Sequence, residues 1–298
     1  MRNFSTKFTS VIKSGALVVV TAGLLVSCTK ESLDAGVTPK KEITDKSVKR
    51  KLDQAARNLP NVGIYNKTMN KIIVFDLSNP QAKSFSFVDP GPGINFASSN
   101  GGEWVYFPES GDFVILSEPG GGGGLGGGTV VAGNTSLNID IAFCFSASEE
   151  AIGGDLFGGD GFGDVAGVIG IAGDFEALAN EDFGEDEDPF DYFEGLAYYF
   201  VWTDELSNSS YDVIEFFEAE EGDPEENQDL AFAWLISLQG DGGVYLSSDG
   251  EISISGASMS FNGEYFGIEG IGFFDEEGEG DDLEYVEVPG FGTMSCSE

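Results

Sequence analysis

Leu230, Phe232, Trp234, Ile236 and Leu238 alternate with Ala231, Ala233, Leu235, Ser237 and Gln239. A period of two is the repeat of a β-strand, whose successive side chains point to opposite faces. One face here is bulky and the other mostly small. That suits a central strand covered on both sides, inside a layered β structure. The same period runs through Leu137, Ile139, Ile141, Phe143 and Phe145. Their partners Asn138, Asp140, Ala142, Cys144 and Ser146 are smaller or polar, so a half-buried strand with those five apolar residues on one face is expected. Between Val165 and Phe175, Gly167, Gly170 and Gly173 interrupt a Val/Ile run. Glycine inside a strand marks a place that another group approaches closely.

Shorter runs repeat the theme. Val62–Tyr65 and Ile72–Phe75 flank a polar turn at 66–71 and predict a hairpin. Phe85–Val88, Trp104–Phe107 and Phe113–Leu116 are further strands, with Pro and Gly between them. Asp249-Gly250 and Asn262-Gly263 each sit between strand-like runs and are expected to turn two more hairpins, because both dipeptides accept positive φ. With 43 glycines in 298 residues, tight turns and strands are favoured over helices. The expected fold is all-β: an antiparallel β-sandwich, or a barrel-like closure of the same strands, with Gly-rich turns and acidic loops.

Charge divides the chain sharply. After Lys83 there are 46 Asp and Glu and no Lys, Arg or His. The whole chain has no histidine, so Ser-His-Asp triads, Cys-His dyads and histidine metal sites are excluded, and zinc with them. The region after Lys83 has no cation with which to clamp a phosphate, which argues against nucleotides and nucleic acid there. The glycine run 120–128 lacks the lysine and Ser/Thr of a phosphate-binding loop.

The first residues have another character. Arg2, Lys7 and Lys13 precede a twelve-residue apolar run, Gly15–Val26, shorter than the ~20 residues that span a bilayer. Leu25-Val26-Ser27-Cys28 follows. This string resembles the lipobox of bacterial lipoproteins, a resemblance covering about the first thirty residues. It implies cleavage before Cys28 and lipidation of its thiol. Thr29, rather than aspartate, follows the cysteine, which implies the outer membrane. Lys30-Glu31-Ser32-Leu33-Asp34 is similar to the charged surface-export signals of Bacteroidota lipoproteins, which leans toward the cell surface over the periplasm. Residues 28–298 then carry 11 basic and 52 acidic residues, a formal net charge of −41.

The organisation expected along the chain is a signal peptide over 1–27, then a lipidated tether with a short basic helix over 28–58. A β region over 59–119 follows, then a glycine linker or loop over 120–128 and an acidic β domain over 129–298. The two β regions form one domain or two. Ile43, Val48, Leu52, Ala55, Ala56 and Leu59 fall on one helical face among Lys and Arg. Such a helix either sits on anionic head groups or is a solvated stalk. Either way, the charge map reads as a positive membrane-facing segment and a negative solvent-facing head.

Cys144 and Cys296 remain after lipidation. In an oxidising envelope they are expected to form a disulfide, with two buried free thiols as the alternative. Carboxylates, hydroxyls, amides and aromatics are the chemistry left to the head. Carboxylates hold calcium, and in pairs they hydrolyse glycosides. Acidic residues gather at 181–194, 218–229 and 275–284. Asp186, Asp188, Asp191, Asp275, Glu277, Glu279 and Asp281 are the candidate calcium ligands, against a reading of these loops as solvated acidic surface. Asp275-x-Glu277-x-Glu279-Gly280 has the spacing of an EF-hand loop, but Val286 stands where its bidentate glutamate belongs, so that family is not assigned. Trp104, Tyr198 and Trp202 are candidate stacking surfaces for a neutral glycan, against the commoner use of such aromatics as core.

The functional expectation is a binding, adhesion or accessory module on the outer membrane, not an enzyme. Its expected partners are the membrane through the lipid, and a basic protein or neutral glycan; calcium is the one candidate cofactor. The alternative is a carboxylate-dependent glycoside hydrolase or a neutral-glycan-binding module.

Overall fold

The computed structural model describes residues 40–57, 59, 61–77, 84–90, 103–106, 113–117, 126–147, 164–184, 187–203, 205–213, 230–239, 242–270 and 283–296. The predicted signal peptide, Cys28 and residues 29–39 of the predicted tether, and Asp186, Asp275, Glu277, Glu279 and Asp281 lie outside the described residues.

In chain order, strand β1 (Lys41–Glu42) precedes helix α1 (Lys46–Arg57). Strands β2 (Val62–Asn66), β3 (Lys71–Asp76), β4 (Ser84–Val88), β5 (Glu103–Tyr106) and β6 (Phe113–Ser117) form a small sheet in the order β4-β3-β2-β6-β5. The predicted 62–75 hairpin is β2 with β3, closed by a turn in which Asn70 takes φ 51°. Asparagine tolerates that left-handed conformation.

The rest of the chain builds the larger sheet. It comprises β7 (Gly126–Ala132), β8 (Thr135–Ala147), β9 (Asp164–Gly173), helix α2 (Phe175–Asn180), a 3-10 turn (Pro189–Tyr192) and β10 (Phe193–Thr203). Then come β11 (Ser210–Asp212), β12 (Leu230–Ser237), β13 (Gly243–Ser255), β14 (Ser258–Glu269) and β15 (Glu284–Ser295). Antiparallel pairing runs β7-β8-β9-β10-β12-β13-β14-β15, and β15 pairs back onto β7 from Gly290↔Ala132 to Ser295↔Gly127. Eight strands therefore close into an up-and-down barrel. Strands β11 and β1 are appended to β13 and β15.

The two faces of the barrel wall have different tenants. Ala197, Tyr199 and Val201 of β10, with Ala231, Ala233 and Leu235 of β12, join one buried cluster drawn from all eight strands, which is the barrel interior. Leu196, Tyr198 and Phe200, with Trp234, Ile236 and Leu238, join a second cluster with Leu52, Ala55, Ala56, Ile64, Ile73 and Phe75, beneath helix α1 and the small sheet. Residues 230–238 are, as expected, a strand covered on both sides; its small face lies inside the barrel, where tyrosines from the facing strands take the space, and its bulky face lies outside.

The predicted apolar stripe of α1 is buried, with Leu52 and Ala56 each 1% exposed. The helix is neither a solvated stalk nor a membrane-surface helix; it belongs to the head. Asp45 starts it by accepting from the Ser47 backbone N–H at 2.7 Å, an N-cap that satisfies one unpaired donor of the first turn.

Three expectations are corrected. Leu137 and Ile139 face inward while Ile141 and Phe143 face outward, because the β7–β8 register shifts between Gly126 and Gly128. A bulge adds one residue and exchanges the two faces. Asp249-Gly250 and Asn262-Gly263 turn no hairpins. They lie in mid-strand, Gly250 opposite Gly263, and the reversal between β13 and β14 occurs at Gly256-Ala257. A Cβ on Gly250 would stand 2.5 Å from Gly263 Cα, so this glycine pair serves a close approach of two strands rather than a turn. Finally, Gly126–Gly128 are not linker but the start of β7. A Cβ on Gly128 would lie 1.9 Å from the Thr293 carbonyl oxygen, so glycine allows the last strand to reach the first.

Candidate functional site

Asparagine, threonine and backbone join the small sheet to the barrel. Asn66, fully buried, donates to the carbonyls of Leu178 and Glu181 at 2.9 and 2.7 Å and accepts from Met69 N–H at 2.8 Å. Thr68 Oγ1 donates to the Asn180 carbonyl, and Lys67 N–H to that of Ala179.

Tyrosines and glycines fill the barrel. Tyr199, Tyr245 and Tyr265 are 0–1% exposed. A Cβ on Gly290 would lie 2.2 Å from two Tyr265 ring carbons; one on Gly267 would lie 2.6 Å from the Tyr245 ring. A Cβ on Gly292 would lie 2.6 Å from the Tyr199 hydroxyl. Each ring thus occupies the space a missing side chain leaves. The Tyr199 and Tyr265 hydroxyls lie beside one another without reaching hydrogen-bond geometry. Burial pushes both hydroxyls above the ordinary tyrosine range, so they stay neutral. Gly170 fulfils its sequence expectation: an added Cβ would meet Met294 Sδ at 2.4 Å and Ile139 Cγ2 at 2.7 Å, across the barrel.

At one end of the barrel this interior meets charge. Tyr245 Oη lies 2.7 Å from Thr135 Oγ1 and donates to Glu269 Oε1 at 3.2 Å. Glu269 Oε2 accepts from Lys40 Nζ at 2.6 Å, and Lys40 also pairs with Glu284. Lys41 pairs with Glu287 at 2.6 Å. Burial lowers the Lys40 pKa, but the carboxylates of Glu269 and Glu284 outweigh it, and the net shift is upward. Glu264 lies beside Glu287. Glu264 is exposed, but partial loss of water at its carboxyl first, then the Glu287 carboxylate, push its pKa up, partly offset by Lys41. Lys49 stands 4.7 Å over the Tyr285 ring, whose hydroxyl donates to Asp53 at 2.8 Å. These side chains escaped the sequence reading. The lysine pair just ahead of the helical stripe was the available signal, but nothing local says which carboxylates it meets.

Most of the acidic stretches 218–229 and 275–284 lie outside the described residues. In an up-and-down barrel alternate connections leave opposite ends. The β9–β10 connection, with Asp188 and Asp191, and the β14–β15 connection leave the Lys40 end; the β10–β12 connection leaves the other. Three described carboxylates accept from backbone N–H groups. Asp188 accepts from Phe190 N–H at 2.9 Å, Asp174 from Ala177 N–H at 2.9 Å, and Asp140 from Gly173 N–H at 2.9 Å. Among the described residues, no group of three or more acidic or thiol side chains is placed to hold a metal ion. None of the buried polar residues described is an Asp or Glu.

Tyr198 is 4% exposed and packs edge-on against Trp234 at 4.8 Å, so its ring is core and not a stacking surface. Trp202 is half-buried against the same cluster. Trp104 lies in β5, with its side chain outside the described residues. Cys144 and Cys296 form a disulfide, Cα–Cα 5.8 Å, tying β8 to the end of β15. This is the pairing expected from the sequence.

On the outer wall away from α1, Thr129, Ser136, Asn138, Glu251, Asn262, Glu264 and Thr293 are exposed. A membrane-spanning barrel would carry an apolar band there. No family model matches the chain, and neither curated proteins nor solved structures include a match to it.

Proposed function

We propose that this chain is an outer-membrane lipoprotein, anchored through Cys28, whose acidic β-barrel head is a binding, adhesion or accessory module facing the cell surface. The observation that carries the reading is the conjunction of a lipobox-like leader with a barrel whose interior is filled by its own tyrosines. Where rings occupy the interior, recognition falls to the outer wall and the loops. Those parts carry carboxylates and hydroxyls and, after Lys83, no cation. A head of that charge attracts basic proteins and repels anionic polymers. Calcium bridging between loop carboxylates is a compatible addition. A hydrolase reading needs a carboxylic acid in an apolar setting beside a second carboxylate. No described carboxylate is buried, so the binding reading is preferred.

Expression of the full chain in a Gram-negative host with labelled palmitate tests this. The label should enter the wild-type chain and not Cys28→Ser, and protease added to intact cells should remove the head. An unlabelled chain released with the periplasmic contents would overturn the reading.

A further inference from the structure

Strand β15 has two partners on its β7 side, and they divide its length. β7 covers Gly290–Ser295, and Gly133 N–H reaches the Pro289 carbonyl at 2.8 Å. The other half is covered from far away in sequence. Lys41 pairs with Glu287, Glu42 with Val286, and Ile43 N–H donates to the Tyr285 carbonyl at 2.9 Å. Four residues ahead of α1 therefore finish the seam that the last strand leaves open. An uncovered strand edge is a row of free donors and acceptors.

What holds these four residues differs from what holds the helix behind them. Helix α1 is seated by buried Leu52, Ala55 and Ala56. Of residues 40–43, Ile43 alone is buried, at 6% exposure, while Lys40 and Lys41 are tied by carboxylates. The electrostatic attraction reaches beyond the pairs. Residues 40–57 hold seven basic and three acidic side chains, and residues 84–298 hold 46 acidic and none basic. The four carboxylates under the lysines, Glu264, Glu269, Glu284 and Glu287, lie on the neighbouring strands β14 and β15 and repel one another when the lysines leave.

We propose that Lys40–Ile43 is an ion-held plug on the barrel seam, which opens as ionic strength rises while helix α1 stays docked. Salt acts oppositely on the plug and on the barrel. Screening shortens the reach of charge from ~10 Å at 0.1 M to ~3 Å at 1 M. That weakens the lysine–carboxylate ties, and it also relieves repulsion across the acidic barrel. Opening bares the half of β15 that β7 does not cover and frees the chain up to Asp45 as added tether. The device stands whether or not Cys28 is lipidated.

Amide hydrogen exchange on the full chain tests the plug without any substitution. Between 20 mM and 1 M NaCl, exchange at Ile43 should accelerate at least tenfold. The α1 amides and the paired β9–β10 amides, such as Val168 and Tyr199, should hold steady or slow. The double substitution Lys40→Gln, Lys41→Gln should show the fast Ile43 exchange already at 20 mM; Lys40→Arg, Lys41→Arg should remain slow there. Ile43 protection unchanged at 1 M NaCl would overturn the proposal, as would Ile43 exchanging only in step with Val168.

Discussion

Adding one methyl group inside the barrel should unfold it sooner, and Gly290→Ala is the place to add it. The Gly290 Cβ position lies 2.2 Å from Cδ2 and Cε2 of Tyr265 and 3.2 Å from Phe261 Cε1, whereas carbon atoms rest ~3.5–4.0 Å apart. The Tyr265 ring would have to retreat by more than ~1 Å. It is 0% exposed, with Phe261 at 4.7 Å and Tyr245 at 6.3 Å between ring centres, so retreat moves its neighbours too. Overpacking of this kind costs about 1–3 kcal/mol. A Gly→Ala change free of strain stabilises by about 0.4–1 kcal/mol through the unfolded chain. Gly290 has no positive φ to complicate the comparison, so the steric cost should win by about 1–2 kcal/mol. Gly184→Ala is the matched control, since nothing lies within 4 Å of its Cβ position. Denaturant titration with the disulfide intact should lower the midpoint for Gly290→Ala at unchanged slope, and leave it equal or raised for Gly184→Ala. A Gly290→Ala protein as stable as wild type would refute the packing of tyrosine on glycine.

Other outcomes follow from the same structure. Reducing Cys144–Cys296 releases a constraint across 152 residues. On the chain-entropy relation that removes up to about 5 kcal/mol and lowers Tm by roughly 10–20 °C, read by calorimetry with and without reductant; an unchanged Tm would count against it. The raised Glu264 pKa means that the folded state disfavours its charge. Its contribution is therefore favourable below the unfolded pKa and is lost as pH rises through the folded value. Glu264→Gln should match wild-type stability near pH 4 and exceed it at pH 7; lower stability at pH 7 would show that Lys41 dominates instead. The global Tm should rise with NaCl as repulsion among the 46 carboxylates after Lys83 is screened, and a flat or falling Tm would contradict this.

Much of the fold was legible because period two survives in the sequence. The 230–238 alternation announced a strand covered on both sides, with one bulky and one small face, though not which face lies inside the barrel. Gly170 announced a close approach, and the stripe from Ile43 to Leu59 announced a helix, though not that its apolar face docks on the head. Legibility failed where one residue changes the phase. The bulge near Asp140 costs nothing in composition, so Leu137–Phe145 reads as one face when it is two. Asp249-Gly250 and Asn262-Gly263 have turn chemistry, yet their glycines serve strand contact; only knowing that they face each other reveals this. The charge division was visible, but its meaning was not. Lys40 and Lys41 lie more than 220 residues from Glu269, Glu284 and Glu287, and no local pattern connects them. The positive segment was read as facing the membrane, whereas its described part is bound to the negative head.

The central claim is that the wall closes, β15 against β7, around an interior the protein fills itself. Val131 and Phe291 are direct partners across that seam, and Phe291 is 57% exposed. With the double substitution Val131→Cys, Phe291→Cys and a short bis-maleimide, peptide mapping should find residues 131 and 291 joined within one chain, and Cys144 still joined to Cys296. Cysteines that are modified singly, with no 131–291 link in folded monomer, would mean that the sheet is open and the account wrong.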